Sequence, residues 1–137
     1  MTSSIRAEDW IGRVAVRRVC VTPAMVDQFV ELSGDSSSIH VSDAAARQRG
    51  FDGRIVHGLL LGALVSQVIG TELPGNEGVL QDFQLSFKQP CFPGDEVVIR
   101  AEVTEVFQSV QAIVLRVKIT RADGVVLASG KVQSGLR

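Results

Sequence analysis

The sequence predicts an α+β fold in which about five antiparallel strands wrap around one buried helix, and three observations lead there. Gly53 to Gly70 is a nearly unbroken apolar run, with Ile55, Val56, Leu59, Leu60, Leu61, Ala63, Leu64, Val65, Val68 and Ile69 leaving no wide polar face. As a helix it would be buried almost all round. From Phe83 onward the hydrophobic period becomes two, the mark of half-buried strands. The chain also has 137 residues, 45% of them hydrophobic, enough for one domain over residues 1–137 that needs no covalent staples.

In chain order, Met1 to Trp10 is a polar start without an apolar leader segment. Arg13 to Val21 is rich in β-branched residues and predicts a first strand with one partly solvated face. Thr22-Pro23 is a helix start: the hydroxyl can accept from an orphan amide, and proline suits the first helical position. Val26, Phe29 and Val30 form that helix's buried stripe, and Gly34 ends it. Three consecutive serines, Ser36 to Ser38, favour neither helix nor strand, so Asp35 to His40 is expected as an irregular turn. Ser42 can cap a short helix that Gly50 terminates, and a glycine-bearing loop, Gly50 to Gly53, leads into the apolar helix. A turn at Leu73 to Asn76 then introduces the strands. Phe83, Leu85 and Phe87 share one face of the first. Val97, Ile99, Ala101 and Val103, then Ile113, Leu115, Val117 and Ile119, share one face of the next two. Asp123-Gly124 signals a hairpin before a last strand, Val125 to Val132, so the strands read as sequential antiparallel hairpins.

A net charge of −1, from 14 basic and 15 acidic residues, offers no electrostatic footprint for nucleic acid or an anionic membrane. The apolar run is interrupted by His57, Gly58, Ser66 and Gln67 and falls short of the roughly 20 continuous apolar residues of a membrane span. Cys20 and Cys91 lack metal-ligand spacing and are expected as buried, reduced thiols of a cytoplasmic protein.

Chemistry is concentrated near the two histidines, His40 and His57. His40 follows Asp35 by five residues, and a turn could fold both side chains toward one water, where a carboxylate and an imidazole exchange protons near neutral pH. The plainer reading has Asp35 capping the turn and His40 satisfied in the core. Gly58 falls in the first turn of the apolar helix, where amides lack intrahelical acceptors and the dipole favours negative charge. Without a side chain it admits a carbonyl to its amide, an oxyanion site; equally, Gly58 and Gly62 could serve close packing. His57 is expected to be a structural hydrogen-bonder at the helix entrance. Ser66 either bonds back to a helix carbonyl or orients Asp35. No Asp or Glu lies between Ile55 and Gly70, so a carboxylate must come from elsewhere, with Asp35 the leading candidate.

Phe29-Val-Glu-Leu-Ser-Gly-Asp-Ser-Ser-Ser-Ile-His40, Ile55-Val-His-Gly-Leu59, and Phe83 to Asp95 resemble the MaoC-like, R-specific enoyl-CoA hydratase family over essentially the whole chain. The resemblance implies a hot-dog fold, usually a homodimer, binding acyl thioesters in a tunnel near the subunit interface. It assigns Asp35 and His40 as the catalytic pair, Gly58 as the oxyanion amide and Ser66 as a supporting hydroxyl. No metal or redox cofactor is implied; coenzyme A or acyl carrier protein would be the substrate's handle. Ser37 and Ser38 stand where the family usually has Asn and Pro. The reaction implied is reversible syn hydration of trans-2-enoyl thioesters. Its rivals are the same chemistry run as dehydration on acyl carrier protein in fatty acid or polyketide assembly, and a catalytically inactive acyl-thioester-binding subunit. A thioesterase of this fold commonly carries an acidic residue on the central helix, which this chain lacks.

Overall fold

A computed structural model describes residues 6–137; the first five residues of the polar start lie outside them. One antiparallel sheet of five strands has the order β1-β3-β4-β5-β2, formed by β1 (Val14–Cys20), β2 (Gly78–Phe87), β3 (Glu96–Phe107), β4 (Ala112–Arg121) and β5 (Val126–Leu136). Around it run α1 (Ala7–Trp10), α2 (Pro23–Ser33), α3 (Ser38–Val41), α4 (Asp43–Gln48) and α5 (Gly58–Thr71), the last being the apolar helix. Only β3, β4 and β5 are sequential hairpins. β2 instead pairs with β5, Phe83 opposite Val132 and Phe87 opposite Ala128, while β1 pairs with β3.

The alternation read in β3 and β4 is the core face: Val97, Ile99, Ala101, Val103, Ile113, Leu115, Val117 and Ile119 are all buried, with Val65 and Val68 of α5 in the same cluster. Thr22 caps α2 through Met25 N at 3.2 Å, Pro23 opens it, and Gly34 closes it at φ 75°. Ser42 likewise caps α4 through Ala45 N.

The structure corrects several expectations. α5 starts at Gly58, not Gly53: residues 54–56 are tied to three other segments, Arg54 N to Asp43 Oδ1, Ile55 N to Ile39 O and Val56 N to Cys91 O, and His57 is still non-helical at ψ 135°. The helix is not covered all round within one chain. Leu59, at 69% exposure, Ala63, Ser66 and Gly70 form an open stripe at the helical spacing of four, three and four. Ser38–Val41 is a turn of helix inside the segment expected to be irregular, with Ser42 N donating to Ser38 O. α1 was not foreseen; its Trp10 is buried beneath Arg13, whose guanidinium lies 4.2 Å from the ring centroid. Cys91 is buried but Cys20 is exposed, on the outward side at the end of an edge strand; both are free thiols.

Three glycines explain how closely β5 and α5 approach β2. A Cβ on Gly130 would land on the carbonyl oxygen of Gln84, so β5 needs glycine where β2 crosses. On α5, a Cβ on Gly58 would lie 2.7 Å from the Phe87 ring, and one on Gly62 3.5 Å from Phe83. The four-residue glycine spacing thus seats two aromatic rings of β2.

Candidate active site

α2, the short α3 and the N-terminus of α5 converge beside the β2 end of the sheet, enclosing a cavity of about 720 Å³. Phe29, Phe51, Val56, Leu61 and Phe87 make its walls apolar, and Asp35, His40, His57 and Gly58 contribute its chemistry. Asp35 is the one carboxylate among the described lining residues.

Local hydrogen bonds build the Asp35 turn. Asp35 N donates to Ser33 Oγ at 3.0 Å, and Ser37 N donates to Asp35 Oδ1 at 3.2 Å, an Asx-type turn. One turn later His40 is buried, and its Nδ1 lies 2.7 Å from Ile55 O. A carbonyl can only accept, so Nδ1 carries the proton and Nε2 is the nitrogen left to accept one. His57 is buried as well, and by the same logic its Nε2 donates to the backbone oxygen of Asp35 at 2.9 Å. The two imidazoles stack, centroids 3.8 Å apart and planes 21° from parallel.

One ligand atom from each of Asp35, His40 and His57 falls within 4.8 Å of the others. That is the span one water bridges with two ordinary hydrogen bonds. A shared metal ion fits poorly. Nearly parallel rings direct their lone pairs along separate planes instead of toward one point, and rotating either ring would break its carbonyl hydrogen bond.

Gly58 is the first residue of α5, so its amide has no intrahelical acceptor and lies at the positive end of the dipole. The close-packing reading of this glycine also holds, through Phe87. Ser66 is placed differently from the other three predicted residues. It is exposed on the open stripe of α5 and does not line the cavity, so the chain's own fold does not bring it to Asp35.

The sequence reading missed Cys91 as a wall of the cavity, because its apolar surroundings suggested core and nothing more. Burial, reinforced by the negative charge of Asp95, pushes its thiol up to about 12. At neutral pH it is a protonated, small apolar surface and no nucleophile.

The Ser37-Ser38 departure is legible in the backbone. Ser37 sits at φ −50° and ψ 137°, an extended conformation of the kind a residue before proline adopts, and Ser38 is the first residue of α3. The turn keeps a shape suited to proline without having one. Ser38→Pro should therefore be accepted and raise the unfolding free energy by about 0.4–1 kcal/mol, chiefly by restricting the unfolded chain. A denaturant midpoint at or below that of wild type would contradict this.

Comparison with known proteins agrees with this architecture. Residues 11–124 match the family described as MaoC like domain. The chain is 36% identical over 108 residues to an (R)-specific enoyl-CoA hydratase of Aeromonas caviae, covering 79% of this chain and 81% of that one. It is 33% identical over 117 residues to a 3-hydroxybutyryl-CoA dehydratase of Methylorubrum extorquens, covering 85% and 74%. A solved (R)-hydratase from A. caviae involved in PHA biosynthesis superposes with a TM-score of 0.88 at 33% identity, covering 93% of this chain and 96% of that chain. With its five-stranded sheet packed on one long helix in the hot-dog arrangement, this chain belongs to the MaoC-like domain family of hydratases and dehydratases.

Proposed function

We propose that this protein is an R-specific enoyl-CoA hydratase, adding water reversibly to trans-2-enoyl thioesters. The observation that carries the reading is the Asp35 carboxylate within one water's span of His40, at an apolar cavity that also contains Gly58. An enoyl chain would lie against Phe29, Phe51 and Leu61, with its thioester oxygen at the Gly58 amide. A water held between Asp35 and His40 attacks C3 and the π electrons move onto the thioester oxygen, where the amide and helix dipole stabilise the enolate. Collapse of the enolate takes up a proton at C2, the pair returning the one that the water surrendered. Both atoms arrive on one face, so addition is syn, and the reverse sequence is dehydration. Every charge that develops is met by a group of the chain. The rival carrier, acyl carrier protein, would present the same thioester.

Loss of enoyl absorbance on adding the protein to crotonyl-CoA tests the reading. Turnover on the carrier-protein thioester alone would move the assignment to the dehydratase of acyl-chain assembly, and binding without turnover would make it an acyl-thioester-binding subunit. We further propose a cytoplasmic homodimer. β2 ends the sheet with Val79 and Leu80 exposed, next to the open α5 stripe; the other edge, β1, exposes Val14 and Val16 but also carries the adjacent charges Arg17 and Arg18. Pairing β2 with its copy around a two-fold axis would cover both. Ser66 would then lie in the interface, the one arrangement in which it could support the site. Light scattering should give twice the 14.7 kDa chain mass, and Leu80→Lys should shift it toward the single chain.

A further inference from the structure

We infer that His57 is a positioning residue, binding Asp35, His40 and the Gly58 amide into one rigid unit. The inference rests on the hydratase reading and adds a residue to it. His57 is 2% exposed and held between two rings, Phe29 at 4.8 Å and 59°, and His40 at 3.8 Å and 21°. Its Nε2 donates to Asp35 O, and as the N-cap of α5 it is joined directly to Gly58. A single side chain therefore touches the acid–base pair at both members, and its backbone sets the amide.

The dependence of Asp35 on this contact follows from where the segment's other hydrogen bonds go. Asp35 N, Ser36 N and Ser37 N bond within the chain stretch 33–37, to Ser33 Oγ, Gly34 O and Asp35 Oδ1. Residues 34–38 are exposed. Among the described residues, the bond from His57 is the one that ties Asp35 to a distant element. The turn's C-terminal end is held locally, His40 N donating to Ser37 O at 2.9 Å, and the His40 ring is held by Ile55 O. Without His57 the Asp35 end of the turn could keep its Asx bond and still pivot about that end relative to the His40 ring. A displacement of about 1 Å in such a pair can cost roughly a hundredfold in rate.

His57 is unsuited to proton transfer itself. Among the described residues no protein group hydrogen-bonds to its buried Nδ1, so no hydrogen-bonded route within them continues through the ring.

The test compares His57→Phe, which keeps a ring in the stack but removes the donor, with His57→Gln, whose amide can place an N–H where Nε2 was. On crotonyl-CoA, His57→Phe should lower kcat about 10- to 100-fold and leave KM within about twofold. Hydrogen exchange at the Ser37 and His40 amides should quicken at least about tenfold, because the turn is freed to open locally. His57→Gln should restore most of both. A His57→Phe enzyme with wild-type kcat and unchanged exchange overturns the inference, as does one that loses only KM. Should the phenylalanine variant not fold, the glutamine variant decides: near-wild-type kcat and exchange support the role, loss of both overturns it. An inactive wild type would sink the hydratase reading instead, and the exchange comparison would then judge the positioning role by itself.

Discussion

Asp35→Asn and His40→Asn should each lower hydration of crotonyl-CoA by about 10²- to 10⁴-fold while leaving a folded protein, the range expected when a positioned acid or base is removed. Asparagine is the informative replacement at both positions. At 35 it keeps a side-chain oxygen that can accept from Ser37 N, preserving the turn, and removes the carboxylate's basicity. At 40 its amide nitrogen can stand in for Nδ1 and keep the bond to Ile55 O, while nothing replaces Nε2. His40→Ala would be harder to interpret, since it also leaves the Ile55 carbonyl without its partner in a buried setting. The two variants should not be additive. In the proposed mechanism both residues act on one water, so the double variant should be little slower than the worse single one. Full additivity would mean two independent roles and would contradict the shared-water mechanism. So would wild-type rates in either variant at matched folded concentration.

The largest effect on stability is expected at Gly130, far in sequence from the chemistry. In Gly130→Ala the new methyl would meet the Gln84 carbonyl oxygen, with Gln84 C at 2.8 Å and Leu85 Cα at 2.9 Å. These are backbone atoms of a paired strand, which cannot swing aside as a side chain can. Accommodation requires β2 and β5 to separate locally, at a cost of about 3 kcal/mol or more, the upper end of what overpacking produces. For a chain of this length that corresponds to a melting temperature lower by roughly 10 °C. The damage should reach the site as well, because β2 carries the Phe83 and Phe87 rings that pack on Gly62 and Gly58. A thermal scan beside the enoyl assay checks both effects. A melting temperature within about 2 °C of wild type would show that the strands part easily at this point.

The contrast between these sites parallels what the sequence could and could not reveal. Local rules worked where the cause was local: Thr22-Pro23 and Gly34 bounded α2, Ser42 capped α4, and alternation in β3 and β4 gave their core face. That Asp35, His40 and Gly58 would meet at one cavity was legible from the five-residue spacing across a turn, a glycine at a helix start and the family resemblance together. Pairing was not. β2 crosses to β5 through contacts some 50 residues apart, and nothing in either strand's own pattern names its neighbour. Hydropathy showed that α5 is apolar, but not that Leu59, Ala63 and Ser66 would be left open on one chain. His57 was read as shaping the helix entrance. That it also grips Asp35 required knowing that α2 and α5 meet.

The stacked imidazoles have a practical corollary. They are the only two histidines in the chain, so every imidazole resonance in a nuclear magnetic resonance spectrum originates in the cavity. Each ring lies in the other's ring current, which makes the separation of their signals a ruler for the stack. Selective labelling of histidine would convert this protein, without any engineered probe, into one whose spectrum contains little besides its candidate active site.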